Sequence, residues 1–140
     1  MNTIISVYTD GGSRGNPGPA AYGFVVRKGQ DLLHASGKII GIATNNTAEY
    51  SGILEALSWI FRNRESIGEI SGINCSMDSL LACQQLRGVY KIKQPHLMAF
   101  IIKIREMETE LGVPITYHHI PREKNKEADA LVNKALDASS

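Results

Sequence analysis

The chain is poor in cysteine. Cys75 and Cys83 stand eight residues apart, with no C-x-x-C and no Cys/His zinc spacing, which excludes a thiolate zinc centre and a disulfide scaffold and leaves both as reduced packing residues. Long apolar runs are also missing, and none approaches the ~20 residues that a membrane-spanning helix needs. The opening MNTIISVY lacks the basic region, extended apolar segment and small-residue cleavage site of a signal peptide, so a cytoplasmic location is expected. There is no internal repeat, low-complexity tract or interdomain linker, and no G-x-x-x-x-G-K-[ST] nucleotide-binding motif. Net charge is nearly absent at +1. What remains is an ordinary soluble composition, expected to form one domain over residues 1–140 that buries roughly 70% of its unfolded surface.

Four acids are present where predicted elements begin or end: Asp10, Glu49, Asp78 and Asp129. Asp10 closes the apolar run Ile4, Ile5, Ser6, Val7, Tyr8 and opens the glycine-rich GGSRGNPGP, and Asp78 closes Ile73, Asn74, Cys75, Ser76, Met77. Strand ends at the carboxyl edge are where open α/β sheets carry ligand chemistry. Glu49 leads at helical spacing to Ile53, Ala56 and Ile60, and Asp129 to Val132 and Leu136, so both point toward a core. A buried, unpaired carboxylate either destabilises the fold or takes up a proton, so four that converge call for a strong cation. Oxygen-rich, histidine-poor ligation favours Mg²⁺ or Mn²⁺ over zinc. With these four set aside, Lys and Arg outnumber the remaining acids by five. From Ser79 to Arg105 the chain carries Arg87, Lys91, Lys93, Lys103 and Arg105 with no acid. Such a block suits a polyanion, the plain alternative being a solvated helix face and loop.

Periodicity predicts strands at Thr3 to Tyr8, Ala21 to Arg27 and Leu32 to Ile40, the last two joined by a short turn. A helix follows from Thr47 to Arg62, with Asn46 as its expected N-cap, then a strand at Ile73 to Met77 and a short helix at Ser79 to Leu86. After the loop RGVYKIKQP come a helix at His96 to Leu111, stopped by Gly112, a strand at Ile115 to Ile120 and a last helix at Lys126 to Leu136. This order implies an α/β fold: a mixed five-stranded sheet, antiparallel in strands 1–3, with helices on both faces.

The stretches YTDGGSRGNPGPAAYG at 8–23, TNNTAEY at 44–50, MDS at 77–79 and HIPREKNKEAD at 119–129 resemble, in that order, the signatures of the type 1 ribonuclease H family. The resemblance implies the ribonuclease H-like fold and endonucleolytic hydrolysis of the RNA strand of RNA·DNA hybrids, giving 5′-phosphate and 3′-hydroxyl ends. It also implies two Mg²⁺ ions, with Mn²⁺ as a substitute, held by Asp10, Glu49, Asp78 and Asp129 as catalytic and metal-binding residues. Ions in such sites lie about 3.5–4 Å apart. The resemblance assigns the bridging position to Asp10, the leaving-group side to Glu49 and Asp78, and the water side to Asp129.

Distinguishing the RNA strand requires contacts to 2′-hydroxyls. Backbone groups of Gly11, Gly12 and Ser13 suit that task, their alternative being a tight turn. Asn16, Asn45 and Asn46 match family positions that contact the hybrid, with helix capping as the alternative for Asn46. Thr44 matches a position that helps hold a DNA-strand phosphate, with a turn hydroxyl as the alternative. The expected partner is the hybrid, with no membrane contact, and the expected state is a monomer without a separate hybrid-binding module, hence of low processivity.

Some features depart from the better-known bacterial pattern. The basic helix-and-loop protrusion is replaced by RGVYKIKQP, in which Lys91 and Lys93 are candidates for a reduced substrate handle; the alternative is an exposed loop with a packed Tyr90. Leu80 stands where the family usually has Gln. His119, ten residues before Asp129, is a candidate for the family's auxiliary histidine, but the following loop is shortened, so Arg122 and Glu123 are rivals. His34 and His96 are expected at the surface. Two other readings use the same fold: a non-cleaving hybrid-binding module, disfavoured because all four acids are present, and a DNA-acting nuclease, disfavoured by the NPG loop and the NN-x-AEY helix.

Overall fold

A computed structural model describes residues 3–139; Met1, Asn2 and Ser140, at the ends of the expected domain, lie outside the described residues. The elements run β1 Ile4–Ser13, β2 Gly18–Lys28, β3 Asp31–Ala43, α1 Asn45–Arg62, α2 Arg64–Ile67, β4 Gly72–Met77, α3 Leu80–Leu86, α4 Pro95–Leu111, β5 Ile115–His119 and α5 Lys126–Ser139, with a 3₁₀ turn at Arg122–Lys124. The short α2 and the 3₁₀ turn are additions to the expected order. The sheet has the order β3-β2-β1-β4-β5. Pairs β1·β2 and β2·β3 are antiparallel, while β1·β4 and β4·β5 are parallel. The mixed five-stranded sheet expected from the sequence is therefore the observed one.

The first four strands are longer than periodicity suggested and β5 is one residue shorter, and the first difference matters for the site. Hydrophobic alternation stops at Tyr8, yet β1 continues through Gly11, Gly12 and Ser13, which pair with Tyr22, Ala21 and Ala20. The hydrogen-bond ladder of a long neighbour sustains residues whose side chains carry no strand signal. The turn comes only at 14–17, where the Arg14 N–H donates to the Pro19 carbonyl (2.8 Å) and Gly15 adopts φ 91°.

Alternation along β2 sends Tyr22, Phe24 and Val26 to one face and Ala21 to the other. The first face packs under α1, whose Ile53, Ala56, Leu57 and Ile60 are fully buried. The second packs against Val132 and Leu136 of α5. Helix α1 begins two residues earlier than expected because Thr44, not Asn46, caps it: the Thr44 Oγ1 accepts from the Thr47 N–H at 3.2 Å. Helix α4 ends as expected, at Gly112 with φ 66°. His34 is not a surface residue of no consequence. It is half-buried and stacks on Trp59 with ring centroids 4.6 Å apart. Cys75 and Cys83 are free and buried, as expected.

Candidate active site

The parallel register of β1 and β4 builds the site. The last paired residues of the two strands are Thr9 and Met77, so the next residue on each, Asp10 and Asp78, emerges side by side at the carboxyl edge. Asp10 does not end its strand, however; it sits within β1 opposite Gly23. Two close approaches bring the helices to it. A Cβ on Gly11 would lie 2.3 Å from the Ala48 carbonyl carbon and 2.4 Å from the Glu49 nitrogen, so only glycine lets α1 press its Glu49 against β1. A Cβ on Gly23 would lie 2.7 Å from the Ala128 carbonyl oxygen, so α5 can lie just as closely on the other face, bringing Asp129 alongside.

Carboxylate oxygens of Asp10, Glu49 and Asp78 all lie within 4.8 Å of one another. Asp129 lines the same cleft, and after burial and Asp78 its charge also raises the Asp10 pKa. Asp10 and Glu49 are each 7% exposed, and Glu49 Oε2 is buried without a hydrogen-bond partner. Burial, then the charge of Asp78, pushes the Asp10 carboxyl up to about 7. Burial, then the charges of Asp10 and Asp78, holds Glu49 well above the usual carboxylate range, against opposing pulls from Arg122 and the Gly11 N–H. A crowded, all-oxygen donor set with an orphaned buried oxygen fits a hard divalent cation.

A cleft of about 350 Å³ contains these acids together with Gly11, Gly12, Ser13, Asn45, Asn46 and Arg122. Asn45 Oδ1 accepts from the Ser13 N–H at 2.8 Å and the Ser13 hydroxyl at 3.1 Å, and Asn16 Oδ1 accepts from the Asn45 N–H at 3.0 Å. With both amide oxygens occupied inside the chain, each Nδ2 is left to donate outward. Asn46 lines this cleft and also a neighbouring groove of about 500 Å³ that contains Lys91, Lys93, Tyr90 and Gln85.

Reverse transcriptase-like proteins form the family that matches residues 8–135. The ribonuclease HI of Halobacterium salinarum is 38% identical over 95% of this chain and 64% of its own length. The bifunctional protein Rv2228c of Mycobacterium tuberculosis is 37% identical over 97% of this chain but 36% of its own length, and the matching part is its N-terminal RNase H domain (36% identity, TM-score 0.85, 96% of this chain and 99% of that one). LC11-RNase H1, solved in complex with an RNA/DNA hybrid, superposes with a TM-score of 0.89 at 41% identity over 96% of this chain and 98% of its own. This chain belongs to the type 1 ribonuclease H family. It spans between about a third and two thirds of the length of these two curated relatives.

Within the family fold, several expectations need correction. Gly11 and Gly12 are in a strand rather than a turn, and Gly11 is required there by the closeness of α1. Asn46 is not the cap. The Thr44 hydroxyl is engaged inside the chain, accepting from the Thr47 N–H and donating to the Thr47 hydroxyl at 3.1 Å. Tyr90 is 44% exposed, and it is Ile92 that packs against the core. His119 and its neighbour His118 are both exposed, at the end of the edge strand β5. Among the three auxiliary candidates only Arg122 lines the carboxylate cleft. Glu123 faces a separate hollow beside Tyr8 and Arg27. The basic block also divides: Arg105 is tied to Glu108 at 2.8 Å and to the Leu86 carbonyl, and Lys103 lines a different hollow beside Glu55 and Glu106. Only Lys91 and Lys93 face the groove next to the acids.

Asn125 escaped the sequence reading although it lies in a quoted motif. It is 1% exposed, and its Nδ2 donates to the Thr9 carbonyl at 2.8 Å and to Asp78 Oδ2 at 3.3 Å. The amide thus ties β1, at the residue before Asp10, to the carboxylate beyond β4. The available signal was an asparagine one turn before Asp129, at the start of a helix. Asn125→Leu is expected to cost about 1–3 kcal/mol of stability by leaving the Thr9 carbonyl unpaired. It is also expected to lower kcat more than it raises KM, because Asp78 loses its orientation. Denaturant titration and steady-state kinetics on one preparation check both.

Proposed function

We propose that this chain, acting as a monomeric cytoplasmic enzyme with one catalytic domain over residues 1–140, hydrolyses the RNA strand of RNA·DNA hybrids endonucleolytically, leaving 5′-phosphate and 3′-hydroxyl ends. The observation that carries this reading is the convergence of Asp10, Glu49 and Asp78 within 4.8 Å, with Asp129 lining the same cleft beside the amides of Asn45 and Asn46. It is supported by the likeness to LC11-RNase H1, whose structure contains an RNA/DNA hybrid.

Asp10, Glu49, Asp78 and Asp129 would hold two Mg²⁺ ions, or Mn²⁺ in their place. Such ions supply positive charge that acidifies an attacking water and offsets the charge on a departing 3′ oxygen. The chain's own groups do the rest. Asp10, which lies among Glu49 of α1, Asp78 beyond β4 and Asp129 of α5, would be the carboxylate shared between the two ions. Backbone groups of Gly11 and Gly12 and the Ser13 hydroxyl, with Asn16, Asn45 and Asn46, present small donors and acceptors to a minor-groove edge carrying 2′-hydroxyls. Thr44 contributes by capping α1 and so aiming Asn45 and Asn46. Arg122, close enough to Glu49 to lower its pKa, takes the auxiliary role at the departing phosphate ahead of His119 and Glu123. Incubation of end-labelled hybrid, DNA duplex and RNA duplex with Mg²⁺ tests the proposal: a ladder on the hybrid's RNA strand supports it, and an intact hybrid beside a cut DNA duplex overturns it.

Lys91 and Lys93, in the adjoining groove, would serve as a reduced handle on the phosphates of the hybrid. Lys91→Ala with Lys93→Ala is expected to raise KM, to flatten the log-log dependence of KM on salt by about one to two units, and to leave saturated turnover little changed. An unchanged salt slope returns the loop to a solvated connection.

A further inference from the structure

The loop RGVYKIKQP has no secondary structure over its second half, yet the lysines on it can act as a handle only if they stand at a set distance from the carboxylates. Its entry is held by α3, where the Gln84 carbonyl accepts from the N–H groups of Val89 (2.8 Å) and Tyr90 (3.1 Å). The next attachment is a side chain. Gln85, 7% exposed, donates from Nε2 to the Lys91 carbonyl at 3.4 Å. Its Oε1 accepts a short hydrogen bond from the hydroxyl of Tyr50. Tyr50 is fully buried on α1 and is the residue next to Glu49.

The chemistry of these groups permits one arrangement. A carbonyl only accepts, so Lys91 must receive the amide nitrogen of Gln85, and the amide oxygen must then face Tyr50, which must donate. A tyrosine phenol keeps its proton across the neutral range, so Tyr50 is a donor there. Tyr50 therefore orients Gln85, and Gln85 fixes the backbone of Lys91 relative to the helix that carries Glu49.

We propose that Gln85 is a positioning residue for substrate binding, joining the lysine-bearing loop to the catalytic helix through Tyr50 and so setting the register between phosphate contacts and the scissile bond. This rests on the proposal that Lys91 and Lys93 contact the hybrid. Gln85→Met keeps volume and removes both bonds. It is expected to raise KM for a hybrid about fivefold, to flatten the salt slope by about one unit, and to change kcat less than twofold. A purely structural glutamine would lower the folded fraction and scale kcat without touching the salt slope. Tyr50→Phe, which deletes one hydroxyl from an intact ring, is expected to shift KM and the salt slope in the same direction by a smaller factor, and it keeps the test open if Gln85→Met fails to fold.

The deciding measurement is a mutant cycle on hybrid substrate. In the Lys91→Ala, Lys93→Ala background, Gln85→Met is expected to add almost nothing to KM, because the groups it positions are gone. If the lysine pair raises KM and the Gln85 and Tyr50 changes do not, or if the factors multiply as for independent sites, the positioning role is overturned while the lysine handle stands. If the lysine pair itself leaves KM and salt slope unchanged, the handle fails, and with it the role given to Gln85.

Discussion

Asp10→Asn is expected to abolish cleavage while leaving hybrid binding and the fold in place. The substitution keeps side-chain volume but removes the negative charge that Asp10 would present to a bound cation, and its carboxyl lies within 4.8 Å of Glu49 and Asp78 in the cleft that Asp129 also lines. An amide oxygen is a poor ligand for a hard divalent cation shared between two sites. Loss of metal stabilisation of several kcal/mol at the transition state corresponds to a fall of about a thousandfold or more in kcat. The same change should make the metal-free protein more stable. Three crowded carboxylates, two of them nearly buried, repel one another without a cation. Neutralising the central one relieves that repulsion, and a rise in melting temperature of about 3–4 °C corresponds to roughly 1 kcal/mol in a domain of this size. Mg²⁺ titration separates the two effects: it should raise the melting temperature of the native protein more than that of the variant. Near-native turnover of Asp10→Asn in Mg²⁺ removes Asp10 from the mechanism.

Cleavage is expected on the RNA strand alone, with 5′-phosphate and 3′-hydroxyl ends and no 2′,3′-cyclic phosphate. In-line attack by water forms the new phosphorus–oxygen bond as the bond to the 3′ oxygen breaks, and that oxygen leaves with a proton from solvent. The 2′-hydroxyl has a different task. The outward Nδ2 groups of Asn16 and Asn45, fixed because their oxygens are taken by Asn45 N–H and by Ser13, are donors that a deoxyribose cannot answer with a hydroxyl. A polar site of this kind rejects a partner lacking the group far more strongly than an apolar one does. A DNA strand containing a few consecutive ribonucleotides should be cut within or beside them, and the all-deoxy duplex should stay whole. Mass spectrometry of the product ends and gels of the all-deoxy control decide the matter. Cyclic phosphate identifies the 2′ oxygen as the nucleophile, and comparable cutting of DNA identifies a general metal nuclease.

The residues that carry the chemistry were visible in the sequence because chemistry constrains residue type. Asp10, Glu49, Asp78 and Asp129 stand beside predicted elements, and the motifs around them resemble one family in order, while the element order and sheet type follow from hydrophobic alternation. Elements were less legible where packing overrides local preference. Gly11 and Gly12 look like a turn but complete a strand, since a ladder with β2 is available and α1 approaches too closely for any other side chain at Gly11. Asn46 and Thr44 are both acceptable caps by composition, and only the path of the chain into α1 chose Thr44.

The sequence by itself determined the fold class, the acidic set and the short basic loop, because hydrophobic period and residue chemistry are local properties. Tertiary structure alone decided which groups meet. The parallel register that pairs Thr9 with Met77 is what sets Asp10 beside Asp78, and Asn125, silent in the sequence, ties Thr9 of β1 to Asp78. The edge position of β5 leaves His119 outside the cleft while Arg122 enters it. Gln85 and Tyr50, 35 residues apart, are joined only because α3 packs near α1. Such contacts depend on strand register and helix approach, which are settled by the packing of the whole sheet rather than by any one segment of chain.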